Sequence, residues 1–218
     1  MRFVFHSLFF LLITDGVMAH TSNTRAGRFT GALFLMDTEY ENENNTEFDV
    51  EGQMLVGGMN TMVSPQFTVG GGLGLLIDGE LGNALSFDDG SGFRIFFDGR
   101  YMLKKAGAIE FAMTGNLTHD RFTFESGDTE LDWSMTDLKL GGLAIHRAGR
   151  ASIYGGLDAV LYSDGQSEVG DASADAERND RINLRVGGSF ALDRSMDLRA
   201  DIFLLGEKSI QIGVDMYI

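Results

Sequence analysis

The chain has 218 residues, a formal net charge of −15, four His, 29 Gly, one Pro and no Cys. The missing thiols exclude a disulfide framework and thiolate metal sites, four histidines leave little material for a histidine-based metal cluster, and the acidic balance argues against nucleic acid as a partner. The length fits a single domain.

Residues 8–13 are a short apolar run behind Arg2 and ahead of Val17-Met18-Ala19. That pattern predicts a secretory signal over 1–19, cleaved after Ala19 and too short to span a membrane as a helix, which leaves 20–218 as one domain. Nothing downstream approaches the roughly eighteen consecutive apolar residues of a spanning helix. A membrane-resident mature chain therefore crosses as strands.

From about residue 27 onward, stretches of ten or so residues place an apolar side chain at every second position and then give way to a turn or an acidic run. Period two is the signature of a strand with one oily and one wet face. The alternation predicts strands at 27–37, 47–58, 66–78, 92–103, 108–123, 130–145, 151–162, 180–191, 197–205 and 209–218. An even count of ten puts both termini on one side, as in single-chain outer-membrane barrels; eight strands with a differently paired C-terminal hairpin is the alternative. The apolar faces are Phe48, Val50, Gly52, Met54 and Val56 in the second strand, then Phe93, Ile95, Phe97, Gly99, Tyr101 and Leu103 in the fourth. They continue with Ile182, Leu184, Val186, Gly188, Phe190 and Leu192, and with Ile210, Ile212, Val214, Met216 and Ile218. All are expected to face lipid.

Two stretches resist a single phase. The first strand is apolar on both faces at Leu33, Phe34, Leu35 and Met36, and the sixth changes phase between Trp133, Met135 and Leu138, Leu140. A bulge near Thr136 would restore the register of the latter. Connections at 59–65, 104–107, 146–150 and 193–196 read as short turns, and 38–46, 79–91 and 163–179 as long polar external loops. Glu39, Glu41, Glu43, Asp88, Asp89, Glu168, Asp171, Asp175 and Glu177 fall in the long segments, whereas Lys104, Lys105, His146, Arg147, Arg150 and Arg194 gather at the short turns, so the two rims differ in sign.

A soluble barrel would turn the same apolar faces inward, but ten strands would then crowd about fifty apolar side chains into a lumen only wide enough for a few. The opposite face carries Arg94, Asp98, Arg100, Glu110, Asp158, Arg181, Arg185, Arg199, Asp201 and Asp215, both signs together, which suits a narrow lumen filled by ion pairs. A short turn at 104–107 would set Arg100 opposite Glu110 across the ladder.

The repeated alternation, and most specifically the strand at 210–218 that ends at the chain terminus, resembles the small outer-membrane β-barrel proteins of Gram-negative bacteria, broadly the OmpA-like transmembrane domain. That resemblance implies an all-β, closed antiparallel up-and-down transmembrane barrel in the cell outer membrane. It also implies membrane lipid as a partner and a final strand read by the barrel-assembly machinery.

His119-Asp120 and Asp88-Asp89 are similar in kind to the acidic and Asp–His pairs of omptin proteases, since a His beside a carboxylate can activate a water. The pairs here are adjacent where that family spaces them by one. Gly70-Gly71-Gly72-Leu73-Gly74 lacks the Lys and helix of a phosphate loop, and the acidic run 171–180 lacks the central Gly and terminal Glu of an EF-hand. Asn44-Asn45-Thr46 and Asn116-Leu117-Thr118 both match the N-glycosylation pattern, the latter inside a strand, where it carries no meaning in a bacterial protein. No catalytic, cofactor-binding or metal residue is assigned and no cofactor is expected. The resulting expectation is a non-enzymatic outer-membrane barrel with a structural or surface-interaction role through acidic external loops. A narrow porin-like channel for small solutes, a rim hydrolase and a soluble periplasmic barrel are the alternatives.

Overall fold

The computed structural model describes residues 27–42, 47–82 and 87–218. The expected signal segment 1–19, Glu43 and the 44–46 tripeptide lie outside these. The described residues form eleven strands and no helix: β1 (Gly27–Asn42), β2 (Glu47–Ser64), β3 (Phe67–Leu81), β4 (Asp88–Ala106), β5 (Ile109–Ser126), β6 (Thr129–Ala148), β7 (Ala151–Val169), β8 (Ala172–Arg178), β9 (Ile182–Ala191), β10 (Met196–Leu205) and β11 (Ser209–Tyr217). Pro65 sits in the β2–β3 turn, where its fixed φ is compatible and no ladder donor is lost.

All pairings are antiparallel, and β11 returns to β1 with Arg28 opposite Tyr217 and Leu35 opposite Ile210. This pairing of the last strand with the first closes the sheet into a barrel. The expected ten-stranded up-and-down barrel is present as β1–β7 with β9–β11, and β8 is an additional strand. Its role follows from its partners: β7 pairs with β9 over 151–159 but with β8 over 165–169, and β8 carries on to β1, with Arg178 opposite Tyr40. The wall therefore has ten strands at the end that holds Gly27 and Ile218 and eight, β1–β8, at the far end.

The long loops read from the sequence are mostly strand. β1 runs to Asn42 and β2 resumes at Glu47, β3 runs to Leu81 and β4 resumes at Asp88, and 163–178 is the far end of β7 plus β8. Several connections are two residues long with glycine in the left-handed region, Gly107 at φ 63° and Gly127 at φ 62°; Gly149 and Gly170 repeat this. Glycine at the first central position matches the twist of a tight hairpin.

The reason these polar stretches stay in strands is that their polarity still alternates, with the faces exchanged. In β2 the outward residues are Glu47, Asp49, Glu51 and Gln53, then Leu55, Gly57, Met59, Thr61 and Val63; the inward ones are Phe48, Val50, Gly52, Met54 and Val56, then Gly58, Asn60 and Met62. Val50 and Met54 are 0 % exposed. The expectation that Phe48, Val50, Gly52, Met54 and Val56 face lipid is therefore wrong: they form an interior core, and carboxylates coat the outside. β6 behaves alike, with Leu131, Trp133 and Met135 inside and Leu138 and Leu140 outside. No bulge occurs at Thr136; β6 alternates without a break and its surroundings change. The nearby irregularity is in β7, where Leu138 pairs with Tyr162 and Lys139 with Val160.

The other rows expected to face lipid do point outward. Phe93, Phe97, Tyr101 and Leu103, Ile182, Val186, Phe190 and Leu192, and Ile210, Ile212, Met216 and Ile218 are exposed on the outer wall, Phe97 by 61 %. The outward row 93–103 covers ten residue steps, about 25 Å along the barrel axis at ordinary rise and tilt, which is the height of the apolar band of outer-membrane barrels. Above this belt stands a collar, polar outside and apolar inside. Its core joins Phe34, Phe96, Phe122, Phe124 and Phe203 to Tyr40, Trp133 and the buried residues of β2.

Candidate functional site

The interior is the candidate site, because every luminal side chain is fixed by register. Arg94 of β4 stands directly opposite Asp120 of β5 and grips it through two bonds of 2.6 and 2.7 Å. A two-point guanidinium–carboxylate contact is the strongest form of ion pair and supplies the tight cross-strand pair expected on the polar face. Its identity differs from the expected Arg100–Glu110. β4 continues to Ala106 and the turn is Gly107-Ala108, so Lys105 meets Glu110, and a register shift between Met102 and Lys104 then sets Arg100 opposite Thr114. Glu110 binds Arg147 at 2.7 Å and Lys105 at 3.5 Å. Arg100 and Glu110 still share the inner face.

Three further layers fill the lumen. Nearest the termini, Arg28 donates to Asp215 at 2.9 Å and to Asn60 at 2.8 Å, and Asn60 donates to Asp98 at 2.7 Å. Next, Asp201 accepts from Arg185 at 2.9 Å and from the Tyr154 hydroxyl at 2.8 Å, with Arg199 at 3.0 Å. Towards the collar, Lys139 bonds Glu207 at 2.6 Å, and Arg178 of β8 bonds Asp137 of β6 over the intervening Ser163 of β7 while lying 3.8 Å from Glu207. Ion pairs so enclosed lose little to screening, and removal of one partner strands the other. Of the charges expected in the lumen, Arg181 alone falls outside it, exposed and bonded to Glu177.

Glycines make room for this packing. A Cβ at Gly70 would lie 1.9 Å from Asn60 Nδ2, at Gly72 1.9 Å from the Gly57 carbonyl oxygen, and at Gly74 2.3 Å from Met54 Sδ. The glycine run is a strand face over which side chains of the flanking strands, Asn60 and Met54 of β2 and Phe96 of β4, lie down.

Above the ion layers the aromatic cap closes the bore. Tyr40 stacks on Phe48 at 5.9 Å, and Trp133 meets both edge-on at 5.0 and 5.2 Å. Below the cap a cavity of about 50 Å³ lies among Arg94, Asp98, Lys139, Asp158, Asn183 and Glu207. At some 10–15 Å³ for each enclosed water, it holds only a few. Nothing in the alternation alone signalled this cap; the exchange of faces within β2 and β6 was the available clue.

Outside, the collar presents carboxylates in register. Glu41 faces Glu47, Glu39 faces Asp49 and Asp37 faces Glu51 across β1–β2, and Glu51 also faces Glu80 on β3. Like charges directly opposite are destabilising. Burial, with Asp37, Glu80 and Asp49 beside it, raises the Glu51 carboxyl above its usual 4.5. Glu39 is held by Lys208.

The omptin-like pairs do not assemble. His119 points outward to Thr136, whereas Asp120 points inward to Arg94, since neighbours in a strand project to opposite faces. Asp88 and Asp89 are exposed at the far end of β4, Asp88 opposite Glu125. The acidic run 171–180 forms the β7–β8 turn and β8, with Asp175 and Glu177 outward. Asn116 and Thr118 belong to the inner face of β5. Among the described residues no group of three or more His, Asp or Glu is placed to hold a metal ion.

No known family matches the sequence, and no curated protein does. Solved structures do match in fold. The outer membrane protease OmpT from Escherichia coli aligns with a TM-score of 0.57 at 9 % identity, over 92 % of this chain and 99 % of that one. The translocator domain of the autotransporter NalP from Neisseria meningitidis aligns at 0.48 and 13 % identity, over 92 % and 90 %. Neisserial surface protein A aligns at 0.43 and 11 % identity, over 87 % and 97 %. The structural neighbours are Gram-negative outer-membrane β-barrels, and at these identities the likeness is one of fold.

Proposed function

We propose that this chain is a non-enzymatic integral protein of the cell outer membrane, anchored by its apolar belt, whose closed, acidic collar acts at the cell surface through structural or adhesive contacts. The observation that carries the reading is the exchange of faces inside single strands: β2 turns carboxylates outward over 47–51 and apolar residues outward over 55–63. A soluble barrel has no reason to change its exterior half-way along a strand, whereas a barrel leaving a bilayer must. Insertion by the barrel-assembly machinery through the strand at 210–218 belongs to the same reading, as does contact with membrane lipid.

The porin-like alternative requires an open path. Four ion-paired layers and the Tyr40–Phe48–Trp133 cap stand in the bore, which favours a non-conducting barrel. Two experiments test the proposal. The protein should fractionate with the outer membrane and shift on a gel when boiled; recovery from the soluble periplasm without a shift removes the membrane reading. In planar bilayers the purified protein should give no unitary conductance, and regular conductance steps would favour the channel.

A further inference from the structure

Just beyond the belt the outward surface is acidic around β1–β3, β7 and β8, and differs on β5–β6. The belt ends there at Leu117 and Leu138, which stand opposite one another. The next outward pairs are His119 opposite Thr136 and Arg121 opposite Ser134. On its other side Arg121 stands opposite Phe93, at the top of the outward apolar row of β4. His119 Nδ1 lies 2.9 Å from Thr136 Oγ1, which holds the ring and leaves its second nitrogen for another partner.

The charge environment of Arg121 is unlike that of the other outward cations on this side. Arg181 binds Glu177 and Lys208 binds Glu39. Arg121 is exposed and, among the described residues, has no ion pair. Of the neighbouring carboxylates, Asp120 faces the lumen on Arg94, and Asp132, one outward step beyond Ser134, accepts the Thr123 hydroxyl at 2.8 Å and makes no ion pair with Arg121. Glu125 lies two outward steps further towards the rim.

From this we infer that His119, Arg121, Ser134 and Thr136 bind the phosphate of a phosphorylated lipid whose acyl chains lie on Leu117 and Leu138. A guanidinium offers phosphate a planar two-point contact, and the hydroxyls and imidazole add donors at the same height. The site stands where the apolar wall stops, which is where a headgroup meets its chains. The outward carboxylates of β1–β3, β7 and β8 repel anionic headgroups, so this sector is selective by contrast with them. The inference rests on the belt lying in a bilayer.

Reconstitution into phosphatidylcholine nanodiscs carrying a minor fraction of lipid A, or of the same lipid with its phosphates removed, tests it, with retained lipid read by native mass spectrometry. The wild type should retain the phosphorylated form preferentially. Arg121→Gln should cut that preference about fivefold, the effect of one cation at an anionic surface. Arg121→Lys should keep part of it, and Arg194→Gln, at the opposite end, should change nothing. Equal retention of both lipids by the wild type, or an Arg121→Gln protein that matches it, overturns the site. Displacement of lipid A by millimolar inorganic phosphate overturns the lipid as its occupant. A boiling shift on the same samples separates causes: a protein that fails to enter the discs refutes the membrane reading itself, whereas an inserted barrel without preference refutes this site alone.

Discussion

Replacing Met59 by Arg and Glu51 by Arg places the same cation at two outward positions of one strand, eight residues apart. Met59 is the centre of the outward row 55–63, about 10 Å from either end of the band at ordinary strand rise and tilt, and is 50 % exposed on the outer wall. An Arg at the midplane of a barrel's lipid face costs about 2–4 kcal/mol, so Met59→Arg should lower the folding constant by roughly thirty- to several-hundredfold. Glu51 instead stands between Asp37 and Glu80 in the collar. Arg there exchanges two repulsive cross-strand contacts for attractive ones at about 0.2–1 kcal/mol each, a gain of roughly 0.5–2 kcal/mol. Equilibrium urea titration in phosphatidylcholine vesicles measures both, with the fluorescence of the only Trp, Trp133, as probe, since it is buried in the cap. A tolerated Met59→Arg together with a destabilising Glu51→Arg would mean that lipid lies against the other end of the strand, and the belt and collar assignment would be refuted.

Asp120→Asn leaves the Arg94 guanidinium enclosed without its carboxylate and should cost about 3–5 kcal/mol in the same titration, and the Arg94→Met/Asp120→Leu double variant should recover most of it; additive losses would contradict a direct pair. Trp133→Ala should destabilise by about 3–5 kcal/mol and still give no conductance in planar bilayers, because the Arg178, Asp137, Lys139 and Glu207 layer remains below the cap. Gly72→Ala drives a Cβ into the Gly57 carbonyl and should cost about 1–3 kcal/mol, whereas Gly142→Ala, whose nearest neighbour would be 3.9 Å away, should be silent; equal effects on urea midpoints would discount the tight β2–β3 approach. Because the Glu51 carboxyl is raised above 4.5 in the folded state, its protonated form is favoured by folding, and its contribution is full below 4.5 and lost as pH rises through the folded value. Stability should therefore rise on acidification from neutrality towards pH 4.5, and Glu51→Gln should flatten that slope; an unchanged slope would place its origin elsewhere.

The sequence by itself determined the ten barrel strands, though not β8 or the far strand ends within the stretches read as loops. Period-two alternation marked the outward rows at 93–103, 182–192 and 210–218, and the even strand count and short turns followed from it. That His119 and Asp120 cannot act together was also legible, because adjacent residues of a strand point to opposite faces. Alternation does not say which face is inside, and here the answer changes within a strand. Phe48, Val50, Met54 and Val56 carry the same pattern as an outward apolar row but belong to the collar core, because the outward residues of β2 turn from carboxylates to apolar side chains half-way along the strand. Only the neighbouring strands that close over them decide this. Register is likewise a product of local geometry: the two-residue turn at Gly107-Ala108 and the register shift between Met102 and Lys104 together move the partner of Arg100 from Glu110 to Thr114. The luminal pairs depend on closure of the whole ring, since Arg28 and Asp215 are 187 positions apart in the chain and 2.9 Å apart in space. A local pattern specifies which residues alternate; the closed barrel specifies what each alternating face meets.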